Sequence, residues 1–457
     1  MKRLTAIAAP LISLALLVGA CGSGRSESAG PDDARTSTTQ TATGDTPFGD
    51  LASPCGPGEP SGSPDQGVTD TEIRIATVDD AGFQTQPGLN HEVTDATRAL
   101  AKWCNEQGGI NGREVVMDYY DAKLFDATNA MAEACAKDFF LVGQLIALDE
   151  TAEPTRRDCG LPSAPNSTVS MFASNAPLMY AAVPNPADYV NIAGAALLAR
   201  EHAEEITKGA LLTANYPAAV INQAKAAPNM EEELGYEWLC RVEYNISGEP
   251  DWRPIIQRLK DCGAELVYFA GTPEPNLQNL LDAANLLDFE PIWFTEPSSY
   301  DASFADWNVG GLGDRVYFGQ MLGLFEEADQ NQAIADYRSA LEAVDGDEAG
   351  IAISSVSAFL LWATAANACG DDLTRECVLA GMADTHSWTG GGIHTDNDPA
   401  GNRQAGCAVL IKLTGTRFER VAPSEVDTFA CDDGWLAPSP PDVVATAGLD
   451  DDRIAHR

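Results

Sequence analysis

The chain has 457 residues, enough for two lobes that each bury a core of their own. Its formal net charge of −40 repels the phosphates of nucleic acids and anionic lipid headgroups, which excludes both as partners for its surface. The acidic excess is scattered rather than blocky, the pattern of a solvated face. Met1-Lys2-Arg3 and the apolar stretch from Leu4 to Val18 form a basic and then hydrophobic leader too short to cross a bilayer. This predicts a secretory signal over residues 1–20. Residues 22–66 are rich in Gly, Ser, Thr, Pro and Asp and read as a disordered tether, stapled near its end by Cys55. No other segment reads as a transmembrane helix.

From Gly67 the pattern alternates between strand and helix. TEIRIATV reads as a buried strand, and Val93, Ala96, Leu100, Ala101 and Trp103 recur at helical spacing until Gly108-Gly109 stop the helix. Asn111-Gly112 turns the chain into a strand from Glu114 to Tyr120, which completes a βαβ unit. Further strands are expected at 139–148, around Leu161-Pro162-Ser163, at 209–213, 238–244, 265–270 and 291–294. Helices are expected between them, with Gly235 ending one and residues 251–262 and 277–287 forming two more. The fold class is therefore α/β, with doubly wound, Rossmann-like parallel sheets.

Eleven cysteines point to an oxidising compartment. With Cys21 set aside, ten remain, and short loops are the easiest to close. The expected pairs are Cys369 with Cys377, Cys240 with Cys262, Cys135 with Cys159, Cys407 with Cys431, and Cys55 with Cys104. There is no C-x-x-C pair and the five histidines are dispersed, so no metal site and no cofactor are expected. The stretch His394 to Asp398 looks like a calcium loop but lacks the later glutamate of one. No G-x-S-x-G elbow, phosphate loop or H-E-x-x-H is present, so no catalytic residues are assigned and an enzyme is not expected.

The wording of the opening, G-V-T-D-x-E-I-R-I, then N-E-Q-G-G-I-N-G-R-E-V and D-Y-Y-D-A-K, resembles the type I periplasmic binding proteins. Within that group it is similar to the branched-chain amino-acid receptors of ABC transporters. Leu17-Val18-Gly19-Ala20-Cys21 likewise resembles a bacterial lipobox, which implies a lipidated Cys21 and an extracytoplasmic receptor anchored to the cell membrane. The resemblance implies two lobes joined by a three-segment hinge. Lobe I would hold 67–184 and 320–385, lobe II 185–319 and 386–436, with a disordered tail over 437–457. It also implies a monomer, an ABC permease as partner, and hinge closure on a small ligand such as an amino acid, amide or amine. A sensor of the same fold, feeding a signalling partner, is the alternative.

The family's ligand contacts carry over to loops at strand ends. Phe83, in the loop Asp79 to Gln84, would wall the ligand, although a solvated turn explains that loop equally well. Ala147, with Leu148 beside it, stands where the amino-acid receptors carry a serine that holds the α-carboxylate. Asp149 just beyond reads as a helix N-cap. Ser167 and Thr168 match the segment that binds the ligand's carboxyl end, and would otherwise form an ST-turn. In lobe II, Tyr216 would pack on the ligand, Thr272 replaces an aromatic residue, and Glu296 aligns with the acid that takes the α-amine.

Replacing Cys21 with serine is expected to release the protein from membranes, because the tether has no apolar stretch to hold it there. Detergent-phase partitioning reads this directly, and a Cys21→Ser variant that stays with the detergent phase would contradict the lipid anchor.

Overall fold

The computed structural model describes residues 46–271 and 274–446. Cys21 and Thr272, and with them the lipid-anchor and Thr272 expectations, lie outside the described residues.

Lobe I opens with β1 (Glu72–Asp79), α1 (His91–Glu106), β2 (Glu114–Asp121), α2 (Ala127–Lys137), β3 (Phe140–Val142), α3 (Asp149–Cys159), β4 (Ser163–Ala164) and α4 (Met171–Ser174). Its four strands are parallel in the order β2-β1-β3-β4. The turns behave as their residues dictate. Gly109 has φ 74° and a Cβ there would lie 1.9 Å from the Arg113 carbonyl oxygen, so only glycine fits. Asn111 and Gly112 both sit at positive φ, as a tight turn into β2 requires.

Lobe II follows with β5 (Tyr189–Asn191), α5 (Ala193–Glu201), β6 (Gly209–Ala214), α6 (Pro217–Leu234), β7 (Trp238–Tyr244), α7 (Arg253–Asp261), β8 (Leu266–Ala270), α8 (Asn276–Leu286), β9 (Ile292–Thr295), α9 (Ala302–Trp307) and β10 (Val316–Gln320). The chain then returns to lobe I for α10 (Gln332–Glu342), α11 (Gly350–Ala368) and α12 (Arg375–Ala383). It ends in lobe II with β11 (Cys407–Thr414), β12 (Arg417–Ala422), β13 (Ala430–Cys431), β14 (Leu436–Pro438) and α13 (Pro441–Thr446). The second sheet runs β12-β11-β10-β9-β8-β6-β7, with β6 to β10 parallel and β11 and β12 antiparallel at one edge.

In both sheets the first strand lies between the second and the third, so strand order reverses beside β1 and beside β6. Ligands of doubly wound sheets bind at such switch points, outside the carboxyl ends of the strands. The five disulfides join the pairs expected from the short loops.

Four expectations change. The apolar run 139–148 is a strand only over Phe140–Val142, because Gly143 turns out of the ladder at φ 70° and residues 145–148 become a loop. The tether is already packed from residue 46 on. Phe48 is fully buried against Trp103, and Cys55 is bridged to Cys104. The tail is ordered through 446, since β14 pairs with β5 and α13 follows. Residues 386–397 pack with lobe I rather than lobe II, because Trp388 donates to the Ser357 hydroxyl of α11 at 2.9 Å and His394 bonds the same hydroxyl at 2.7 Å. Among the described residues, one helix does have the length and apolar composition of a membrane span. This is α11, and it is a core helix, buried between α1 and α12.

In lobe II, α5 and β10 approach each other backbone to backbone through Gly194 and Gly319. A Cβ added at Gly319 would lie 2.4 Å from the Gly194 Cα. Gly319→Ala is expected to destabilise the fold by about 1–3 kcal/mol through overpacking. Chemical denaturation measures it, and a loss near zero would show that α5 moves away freely.

Candidate functional site

The loops that follow β1, β3 and β4 in lobe I face those that follow β6, β8 and β9 in lobe II. Between them is a cavity of about 380 Å³. All three crossing segments contribute to its wall, through Val183 and Asn185, Gln320 to Leu322, and Gln404. The lobes are also tied by backbone bonds from Gly350 to the Tyr300 carbonyl (2.7 Å) and from Ala302 to the Glu348 carbonyl (3.0 Å).

Of the expected site residues, Ala147, Ser167, Thr168, Tyr216 and Glu296 line this cavity. Phe83 and Leu148 do not. They sit behind the wall in a small cluster with Leu89, Leu124 and Ala147. The cause is Asp80, fully buried, whose carboxylate accepts from the Leu124 and Ala147 N–H groups at 2.9 and 2.7 Å and draws the loop inward. Burial raises the Asp80 carboxyl to about 6.

Asp149 is not a helix cap. Leu148 occupies the cap position, and the Asp149 carboxylate instead accepts from the backbone N–H groups of Val169 (2.8 Å) and Ser170 (3.0 Å). These belong to the loop of Ser167 and Thr168, where the family resemblance places a ligand carboxylate. Buried Arg156, paired with Glu153, holds the neighbouring backbone by bonds to the Leu161 and Pro177 carbonyls, each at 2.7 Å. The Asn166 amide ties the same loop to α11 through the Ser355 hydroxyl at 2.8 Å.

Glu296 ends β9 and faces the cavity, half-buried, with no side-chain partner among the described residues. Burial raises its carboxyl to about 7. The Tyr216 hydroxyl is pushed above its ordinary value by burial first and then by the negative charges of Glu296, Asp149 and Glu150. The site is thus acidic. Sequence reasoning missed Gln320, at the end of β10. It is 2 % exposed, lines the cavity, and neither atom of its amide has a partner among the described residues. It also missed Lys225 of α6, which is buried against the Pro186 carbonyl and lowered by desolvation to about 8.

Two other groups look like chemistry. Ser357 and His394 form a serine–histidine pair, but both are sealed in the core. The His394 Nδ1 is held by its neighbour's carbonyl, and burial lowers the imidazole to about 4. The ligand atoms of His91, Asp95 and Asp347 lie within 4.8 Å of one another at the start of α1, where His91 is already bonded to Asp347 and the Gly88 carbonyl.

Two doubly wound lobes, three crossing strands of chain and a crevice between strand ends define a two-lobed solute-binding protein. The chain belongs to the periplasmic binding protein family, whose model matches residues 72–417. The members of that family are binding proteins, and the family's place is outside the cytoplasm. Similar solved structures include a fatty acid ABC transporter substrate-binding protein from Thermomonospora curvata, at 14% identity over 80% of this chain and 97% of that one, with a TM-score of 0.64. A leucine binding protein from Thermotoga maritima matches at 15% identity over 77% and 98%, with a TM-score of 0.63. A solute-binding protein from R. palustris, in complex with 4-hydroxybenzoate, matches at 15% over 77% and 98%, with a TM-score of 0.62. At these identities the likeness is one of fold. No curated protein matches the chain.

The raised Glu296 carboxyl has a thermodynamic consequence. The folded protein holds its proton up to about pH 7, while the unfolded chain releases it near 4.5, so this group's contribution to stability falls as pH rises between those values. Ligand-free Glu296→Gln is therefore expected to exceed the parent's melting temperature by more at pH 8 than at pH 5. Thermal melts at both pH values check this, and an equal gap at each would contradict it.

Proposed function

We propose that the chain is the receptor of an ABC importer and that its cleft takes a small ligand by a nitrogen-bearing head, an amine or amide. The observation that carries this is Glu296, a carboxylate in the cavity wall without a side-chain partner among the described residues. A desolvated carboxylate needs a cation or a hydrogen-bond donor, and a ligand ammonium or amide supplies one. Tyr216 lines the same cavity, and an aromatic ring there suits a cation. Asp149 supports the reading from the opposite lobe. It has taken the two backbone donors that a ligand carboxylate would use, and it adds like charge. A standard amino acid therefore meets its amine partner but loses its carboxylate partner. Closure of the hinge follows from whatever extra contacts the ligand makes with both lobes at once.

A thermal-shift screen of amines, amides and amino acids finds the ligand, since binding to the folded state alone raises the midpoint. Glu296→Gln should then weaken it by roughly 30-fold or more, the loss of a charge-assisted bond of about 2 kcal/mol or above. Unchanged affinity by calorimetry, with normal folding, would falsify the assignment of Glu296.

A further inference from the structure

The cavity does not stop at the cleft. It continues into lobe II, between α5 and α6 on one side and the face of β8, β9 and β11 on the other. Its walls there are Ile192, Ala195, Ala226, Met230, Tyr268 and Phe294, all buried. Contacts on α6 recur at Asn222, Lys225, Ala226 and Met230, one face of the helix, over roughly 12 Å at 1.5 Å per residue. The room comes from small side chains on facing elements, Gly194 and Ala195 on α5, Ala226 on α6 and Ala408 on β11. The helix α5 cannot settle inward to close it, because Gly194 already meets Gly319 of β10 backbone to backbone.

A cavity of roughly 150 Å³ accommodates a benzene ring, so the cleft and annex together, at about 380 Å³, hold more than a small polar head group fills. Apolar walls gain dispersion only from an occupant that reaches them. The polar groups gather at the cleft end, where Glu296 and the unpartnered Gln320 amide offer two acceptors and a donor. Deeper in, Lys225 is the cation, and its ammonium donates one hydrogen bond to the Pro186 carbonyl.

We infer that the ligand is an amphiphile, with a medium-length alkyl tail lying along α6 and its head at Glu296 and Gln320. The tail rests on the annex alone. The identity of the head rests on the function proposed above. An alkyl chain suits the annex because most of the side chains that wall it are apolar and buried.

The test is calorimetry on the intact protein with three series of probes, n-alkylamines, n-alkylamides and n-alkanoates, each from four to eight carbons, numbers chosen to span roughly that 12 Å of helix. Affinity should rise roughly three- to four-fold per added methylene until the annex is filled. Ala226→Phe should flatten the series so that octylamine binds no better than butylamine. Ala195→Leu is the milder companion, with circular dichroism confirming that each variant folds. Equal binding of butylamine and octylamine by the parent overturns the tail and leaves the nitrogen-head reading standing. Octanoate binding more tightly than octylamine and octanamide, with the same length dependence, supports the tail and overturns that head. No binding by any member of the three series overturns the amphiphile.

Discussion

The Asp149 carboxylate reaches across from the first turn of α3 and accepts two backbone N–H groups of the next loop, those of Val169 and Ser170. Those donors sit at the end of a parallel sheet, where unpaired N–H groups gather and favour negative charge. The protein satisfies them with its own side chain. This fixes the loop, and the loop fixes Ser167 and Thr168 at the cavity wall. It also changes the electrostatic sign of the pocket. An anion site that the fold would otherwise present to a ligand becomes an internal bond, and the polar groups facing the cleft include a carboxylate on lobe II and an unpartnered amide at the end of β10.

The same exchange explains why part of the site was legible in the sequence and part was not. Glu296 and Tyr216 follow strands whose ends are marked, one by PIWF and a proline, the other by GALLT and an Asn-Tyr-Pro turn, so their places at strand ends could be read directly while the family resemblance implied the cleft. Asp149 could not. A carboxylate opening a helix looks the same whether it caps that helix or reaches to another loop, and only the fold brings residues 169–170 to it. The run 139–148 was read as one long strand because uniform apolar sequence carries no sign of where the hydrogen-bond ladder ends, and Gly143 supplies that ending through its φ angle. The βαβ unit from 72 to 121 was legible almost to the residue, because alternation, helical spacing and two glycine-rich stops agree there.

The annex behind the cleft had no sequence signal at all. Its residues come from α5, α6, β8, β9 and β11, elements spread over nearly half the chain. Each small residue taken alone is an ordinary packing choice, as Gly194 against Gly319 shows. A cavity is a property of several such choices facing one another, and no one-dimensional pattern records it. Gln320 is hidden for a related reason. It ends a strand in an ordinary way, and its significance lies in what is missing around its amide.

The two ends of the described chain belong to different lobes. Residues 46–55 are stitched to lobe I by Phe48 on Trp103, by the Asp50 N–H on the Gly391 carbonyl, and by the Cys55–Cys104 bridge. At the other end, β14 pairs with β5, and Asn229 of α6 donates to the Pro438 carbonyl at 3.1 Å, which binds this terminus to lobe II. A tether applied at the N-terminal end would therefore hold lobe I and not lobe II. The two ends of the described chain are handles on opposite lobes, and the distance between them would report any change in the angle between the two.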